Sequence, residues 1–223
     1  MRKSIVITAA VLVTGLSFST LASAADSTSW TGWNSNLTGT LQQNGSSITV
    51  TYTGDYTNGG VDYGAYIYDV PSSFTNTTVT NTPGSNGTID MSGGGKTGGT
   101  FSFSKPVINP VMDIFSLGQV GVPASYVFNV PDGTISLLAG GTGHWGGQSI
   151  TLNGSTVNGA EGNGLIQFKG TFSSISFTTP QYEYYYGATV GALTSAVPEP
   201  ETYGMMLAGL GLLGFMVSRK KSA

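Results

Sequence analysis

The chain of 223 residues has no cysteine and a single histidine, His144. Without cysteine there is no disulfide framework, no thiolate nucleophile and no thiolate metal site. One histidine rules out a zinc constellation of imidazoles, and a Ser-His-Asp triad would have to be built on His144. That residue lies in Gly140-Gly141-Thr142-Gly143-His144-Trp145-Gly146-Gly147, with no nucleophile elbow nearby. The run reads as a glycine-rich loop pinned by a packed Trp145, with His144 at its edge.

Charge is also scarce. Charged residues make up 9% of the chain, against the usual quarter or so. Five of the eight basic residues, Arg2, Lys3, Arg219, Lys220 and Lys221, sit in the terminal segments. Between residues 25 and 196 only Lys96, Lys105 and Lys169 remain. They face Asp26, Asp55, Asp62, Asp69, Asp90, Asp113, Asp132, Glu161 and Glu183, which leaves that stretch at −6. Nucleic-acid binding needs a basic footprint, so that class is excluded.

What the chain does have is glycine, at 34 residues, and 11% aromatics among many threonines, serines and asparagines. Aromatics and β-branched residues at this level oppose disorder and suit an exported β protein. Ile48, Val50 and Tyr52 alternate with Thr49, Thr51 and Thr53, the period of a half-buried strand. Tyr66-Ile67-Tyr68 reads as part of a second strand, and Phe101 and Phe103 share a face of a third. Residues 107–117 form a long apolar stretch broken by Pro110, and Tyr126, Phe128 and Val130 alternate up to Pro131. Further strands are expected at 135–139, 165–169, 175–178 and 182–186. Asn-Gly or Asp-Gly pairs at 44–45, 58–59, 86–87, 132–133, 153–154, 158–159 and 163–164 offer the positive φ of tight turns. No window of this region has a capped helical period, and no fixed-period repeat suggests a solenoid or propeller. The expected fold is all-β, an antiparallel β-sandwich or jelly roll over residues 25–193.

The termini have a different character. Arg2 and Lys3, an apolar run over residues 5–16 and Ala22-Ser23-Ala24 have the order of a Sec signal peptide, with cleavage expected after Ala24. Sec translocon and signal peptidase are then partners of residues 1–24. At the other end a linker over 194–201 contains Val197-Pro198-Glu199-Pro200, whose prolines stop regular structure. An apolar segment at 202–218 and a basic tail at 219–223 follow. About 16 apolar residues rise roughly 24 Å as a helix, short of a hydrocarbon core near 30 Å. A span would need bilayer thinning, and a buried C-terminal helix of the same length stays open. The trailing Arg219, Lys220 and Lys221 favour a short transmembrane helix with a cytoplasmic end.

Val197-Pro198-Glu199-Pro200, the apolar segment and Arg219-Lys220-Lys221 together resemble the PEP-CTERM sorting signal of exopolysaccharide-producing Gram-negative bacteria. This segment type also carries the label ice-binding protein C-terminal domain, which implies no ice activity. The resemblance implies export, transient anchoring in the inner membrane, and recognition by an exosortase, with final delivery to the cell surface or extracellular matrix. Residues 103–112 followed by Ser116-Leu117-Gly118, and 161–172 running into Ile175-Ser176-Phe177, are similar to stretches common in PEP-CTERM ectodomains, which implies a PEP-CTERM-associated β-sandwich.

For function, the leading expectation is an exported, non-catalytic structural or interaction protein of the cell surface or exopolysaccharide matrix. The alternative is a carbohydrate-binding module on the same sandwich. Trp145, Tyr182, Tyr184 and Tyr186 are its candidate glycan contacts, the three tyrosines sharing one strand face with Tyr185 opposite. Tyr52, Tyr56, Tyr63, Tyr66 and Tyr68 form a second group. Aromatic faces stack on sugar rings, but tyrosine is also an ordinary strand residue. A third reading is a glycoside hydrolase, which needs two carboxylates across a cleft. Glu161 and Glu183 are the only glutamates of the region, and nothing in the sequence pairs them. Glu161, between glycines, is expected at a loop tip or edge strand, bonded to backbone amides. No cofactor is expected. A structural Ca²⁺ stays open, although Asp55, Asp62 and Asp69 stand seven residues apart with no local cage.

Overall fold

The computed structural model describes residues 27–95, 98–194 and 209–210. The expected signal peptide, the linker beyond Thr194, the sorting helix apart from Gly209 and Leu210, and the basic tail lie outside the described residues. No helix among the described residues is long and apolar enough to cross a membrane.

Sixteen strands follow one another along the described chain. The first five are β1 (Ser27–Trp30), β2 (Gly32–Trp33), β3 (Thr38–Gln43), β4 (Ser46–Thr53) and β5 (Val61–Asp62). An excursion over residues 63–87 with three short 3₁₀ turns comes next. Then come β6 (Thr88–Gly93), β7 (Gly99–Ile108), β8 (Val111–Leu117), β9 (Ala124–Phe128), β10 (Ile135–Gly141) and β11 (Gln148–Ser149). The last five are β12 (Thr151–Asn153), β13 (Thr156–Gly159), β14 (Gly162–Phe168), β15 (Thr171–Thr178) and β16 (Tyr182–Thr194). They form two sheets of a β-sandwich. One has the order β10-β14-β8-β16-β6-β5, with β1 also on β16 and β11 on β14; the other runs β12-β13-β9-β15-β7-β4-β3-β2. Pairing is antiparallel throughout, apart from the short β11–β14 contact. From β6 onward the chain changes sheet at almost every strand.

The alternating residues do what their period requires. Ile48, Val50 and Tyr52 on β4, Phe101 and Phe103 on β7, and Tyr126 and Phe128 on β9 all enter the inter-sheet core. Tilted and edge-on packing of Phe101, Tyr126 and Phe128 around Phe177 fills its centre. β8 is different, because it is buried along its whole length. Met112 and Ile114 face the inter-sheet core, while Val111 and Phe115 pack with Val79, Ile67, Tyr68 and Phe74 of the excursion. The 63–87 segment therefore makes a third layer over one sheet. A strand covered on both faces reads as a mostly apolar run, as Val111–Leu117 does apart from Asp113 and Ser116. Asn81 clips this layer in place. Its side-chain amide accepts from Thr28 N at 2.8 Å and donates to Thr28 O at 2.9 Å.

Two local expectations are corrected. Tyr66-Ile67-Tyr68 is not a strand but part of a 3₁₀ turn, Ala65–Tyr68. The Asp62 carboxylate accepts from Gly64 N at 2.7 Å and from the Tyr66 hydroxyl at 3.1 Å, which turns the chain before a strand can continue. The pairs Asn158-Gly159 and Asn163-Gly164 are not turns but lie within β13 and β14. There glycine serves close packing: a Cβ on Gly159 would stand 2.3 Å from the Leu117 carbonyl oxygen.

The ends of the sandwich meet. β1 pairs with β16 from Ser27↔Thr194 to Trp30↔Gly191. Both strands contribute to the core, β1 through Trp30 and β16 through Tyr186, Ala188, Val190 and Ala192.

Candidate functional site

The site begins with an irregularity in β16. Its pairing with β6 shifts register between Tyr182 and Tyr186. A bulge of this kind re-aims the side chains that follow it. Tyr182 and Tyr184 point outward, at 68% and 76% exposure, and Glu183 points inward at 4%. Strict alternation would next bury Tyr185 and expose Tyr186. Instead Tyr185 is half-buried on the outer side and Tyr186 is fully buried, edge-on to Tyr126 in the core. Tyr186 is thus corrected as a glycan contact: it has no surface to offer. Tyr185, expected on the opposite face, joins Tyr184 instead.

Trp145 comes to the same place from the far side of the sheet. It sits in a tight turn closed by reciprocal backbone bonds between Gly143 and Gly146. Trp145 is not pinned in a core, as the sequence suggested, but is 52% exposed. Its ring leans on Phe115 at 5.0 Å and Tyr185 at 5.9 Å, with Tyr66 at 5.9 Å on another side. His144 beside it bonds Asp69 through Nδ1 at 2.6 Å. Asn163 holds the turn from below. Its amide nitrogen donates to the carbonyls of Gly146 at 3.3 Å and Glu161 at 3.1 Å, and its oxygen accepts from Ser116 N at 3.0 Å. Glycine is required at 147, where φ is +77° and a Cβ would meet the Glu161 carbonyl oxygen at 1.9 Å.

These aromatics form the divide between two depressions. One, of about 490 Å³, is walled by Asp62, Tyr66 and Asp90 as well as Trp145, Tyr184 and Tyr185. The other, of about 310 Å³, adds Ser116, Gln119, Glu161 and Glu183 to the same three rings. Together they make one groove with an aromatic saddle and a pair of carboxyl groups at each end. Tyr182, exposed as expected, lines neither half.

The carboxyl groups are not equivalent. Burial pushes Asp90 up to about 7, with the Asp62 charge adding to the effect and bonds from Asn58 and Tyr185 opposing it. Burial likewise pushes Glu183 up to about 7. The Gly118 N–H, donating to Glu183 Oε2 at 2.6 Å, pulls the other way, and the Glu161 charge adds a further upward push. Glu161 precedes β14 with φ at +62°, and its Oε1 accepts from the Ser116 hydroxyl rather than from backbone amides. The structure therefore pairs the two glutamates that the sequence left unrelated. Asp62 Oδ2 accepts from the hydroxyls of Tyr66 and Tyr185, at 3.1 and 3.3 Å.

No group of three or more His, Asp or Glu side chains among the described residues is arranged to hold a metal ion. Comparison with known proteins then bears on the C-terminal segment. Residues 196–220 match the family model described as the PEP-CTERM protein-sorting motif. The chain carries a PEP-CTERM sorting signal. No curated protein and no solved structure matches the chain. The PEP-CTERM motif implies export and membrane-associated processing, with an exosortase as the processing partner. The match contains Val197, Pro198, Glu199, Pro200, Arg219 and Lys220, and stops one residue before Lys221.

Asp90 and Glu183 are expected to give the sandwich an unusual pH dependence. Their folded-state values lie above their unfolded ones, so the folded chain holds protons that the unfolded chain has released. The associated stability is full below about pH 4 and is lost as pH rises through 7. Screened by groove water, each group contributes on the order of 2 kcal/mol over that window. The urea midpoint is expected to fall between about pH 5 and pH 8, and Glu183→Gln to remove part of the fall. A midpoint that rises over this range would show the two groups ionised in the folded state.

Proposed function

We propose that this exosortase-sorted protein is a non-catalytic interaction protein of the cell surface or exopolysaccharide matrix, and that its β-sandwich contacts polysaccharide through the groove. The observation that carries this reading is the saddle of Trp145, Tyr184 and Tyr185 between two hydrogen-bonding ends. Rings exposed beside a groove give flat apolar faces for sugar rings, and carboxylates and tyrosine hydroxyls give partners for sugar hydroxyls. Trp145 and Tyr184 keep that exposure while Phe115 and Tyr185 brace the indole, so little side-chain order has to be acquired on binding.

The test is retention of residues 25–223, in a sugar-free detergent, on a panel of oligosaccharides. Trp145→Ala is expected to weaken the best ligand about 10- to 100-fold, the scale of one lost stacking platform. Binding that is unaffected by Trp145→Ala, or absent for every sugar, counts against the groove.

A specific observation also favours a second reading. Glu183, pushed up to about 7 by burial, lines the groove together with Glu161, and a glycoside hydrolase needs two carboxyl groups across a cleft. We prefer the non-catalytic reading because both carboxyls are engaged within the protein, Glu183 by Gly118 N–H and Glu161 by the Ser116 hydroxyl. Release of reducing ends that Glu183→Gln abolishes would reverse the preference.

A further inference from the structure

The charge of the groove narrows its ligand. Its ends carry Asp62 and Asp90 on one side and Glu161 and Glu183 on the other, and no lysine or arginine among the described residues lines either half. The whole stretch from 25 to 196 has three lysines against nine acids. A uronic-acid polymer laid in this groove would bring like charges together with nothing to offset them.

A second observation points the same way. Asp90 is 2% exposed and lies in the wall of the groove; Asn58 and Tyr185 bond its carboxyl group, but its Oδ1 has no hydrogen-bond partner among the described residues. A carboxyl group buried this deeply costs stability unless something meets it. Asp62 beside it already accepts from two tyrosine hydroxyls, so further neutral donors are not the missing element. The aromatic saddle between the ends presents π faces that favour a cation over a neutral group, with tryptophan the best of them.

We infer that the groove takes a polysaccharide carrying free amino groups, a glucosamine-type cationic polymer whose ammonium groups meet the carboxyls at the two ends while its rings rest on Trp145 and Tyr184. The inference rests on the carbohydrate-binding reading and adds the charge class of the sugar. Asp62 and Glu161, both half-buried, are the carboxyls within reach of a bound ammonium, with Asp90 and Glu183 buried behind them.

The experiment compares four probes on residues 25–223 in a sugar-free detergent by calorimetry: a glucosamine hexamer, its fully N-acetylated counterpart, a mannuronate hexamer and oligolysine. At about pH 6.5, below the range of an ordinary amino group, the glucosamine hexamer is expected to bind at least about tenfold tighter than the N-acetylated one. That advantage is expected to shrink as salt is raised to about 0.5 M, and the mannuronate hexamer not to bind. Asp62→Asn is expected to weaken the glucosamine hexamer about tenfold more than the N-acetylated one, the scale of one charge-assisted contact. Equal affinity for both glucosamine forms, or tighter binding of mannuronate, overturns the charge inference and leaves the carbohydrate reading standing. Failure of all three sugars removes both. Oligolysine binding as tightly as the glucosamine hexamer overturns the inference in favour of a basic protein partner.

Discussion

Asp113→Asn is expected to stabilise the sandwich at pH 7 by about 2–4 kcal/mol, an unusual direction for a change in a fully buried strand. Asp113 is central in β8, between Thr189 of β16 and Leu165 of β14, and is fully buried. Its neighbours along the strand on the same face, Val111 and Phe115, are covered by the 63–87 layer. Neither carboxyl oxygen has a hydrogen-bond partner among the described residues. Burial alone pushes its titration far above the carboxylate range, so the group folds protonated. The unfolded chain ionises it at about 4, and each pH unit above that adds about 1.4 kcal/mol to the cost of folding. Asparagine has nearly the same shape and no proton to recover. The gain should therefore be small near pH 5 and grow toward pH 8, as read from paired urea titrations. A loss of stability at pH 8 would mean instead that the native carboxylate is ionised and matched by a partner.

The second large effect separates two tyrosines that sequence period treats alike. Tyr186→Ala is expected to cost about 3–5 kcal/mol, the range for removing a large core aromatic. Its ring is fully buried edge-on to Tyr126, and the Tyr126 ring in turn packs on Phe177 and Phe128. Tyr184→Ala, two residues away, is expected to leave stability within about 0.5 kcal/mol, as a surface change does. It should instead weaken the best sugar ligand several-fold. Thermal unfolding and sugar binding of both variants read out the bulge directly. If Tyr186→Ala costs as little as Tyr184→Ala, β16 has the unbulged register and the groove is not built as described.

Much of the fold was legible because strands of this kind encode themselves locally. Ile48, Val50 and Tyr52 alternate with threonines because one face of β4 meets the core and the other meets water. The Asn44-Gly45 and Asn58-Gly59 turns carry positive φ, as their residue types demand. Tyr66-Ile67-Tyr68 misled because an aromatic and β-branched triplet fits a strand or a 3₁₀ turn. The Asp62 carboxylate decided between them from outside the triplet. The third layer was also hidden, since residues 63–87 have almost no regular period and are held by contacts with distant β1 and β8.

The candidate site was less legible. Trp145 and Tyr184 stand out in the sequence as candidate glycan contacts, although Trp145 reads as packed; a bulge has no signature in the local pattern, so Tyr185 and Tyr186 exchanged roles. Asn163 looked like half of a turn pair. Its three hydrogen bonds to Ser116, Gly146 and Glu161 exist only because β14 runs beside β8 and beneath the Trp145 turn.

By itself the sequence determined the all-β class, excluded thiol and polyhistidine chemistry, and displayed the PEP-CTERM signal. Each of these is written in composition or in a short linear order, and a sorting signal is read as a linear segment. Only the tertiary structure decided that Glu161 and Glu183 share a groove, that Tyr185 rather than Tyr186 joins Trp145, and that Asp113 is sealed from water. Those outcomes depend on the register of strands far apart in the chain. Register is set by the packing of two faces at once, and no single strand carries it.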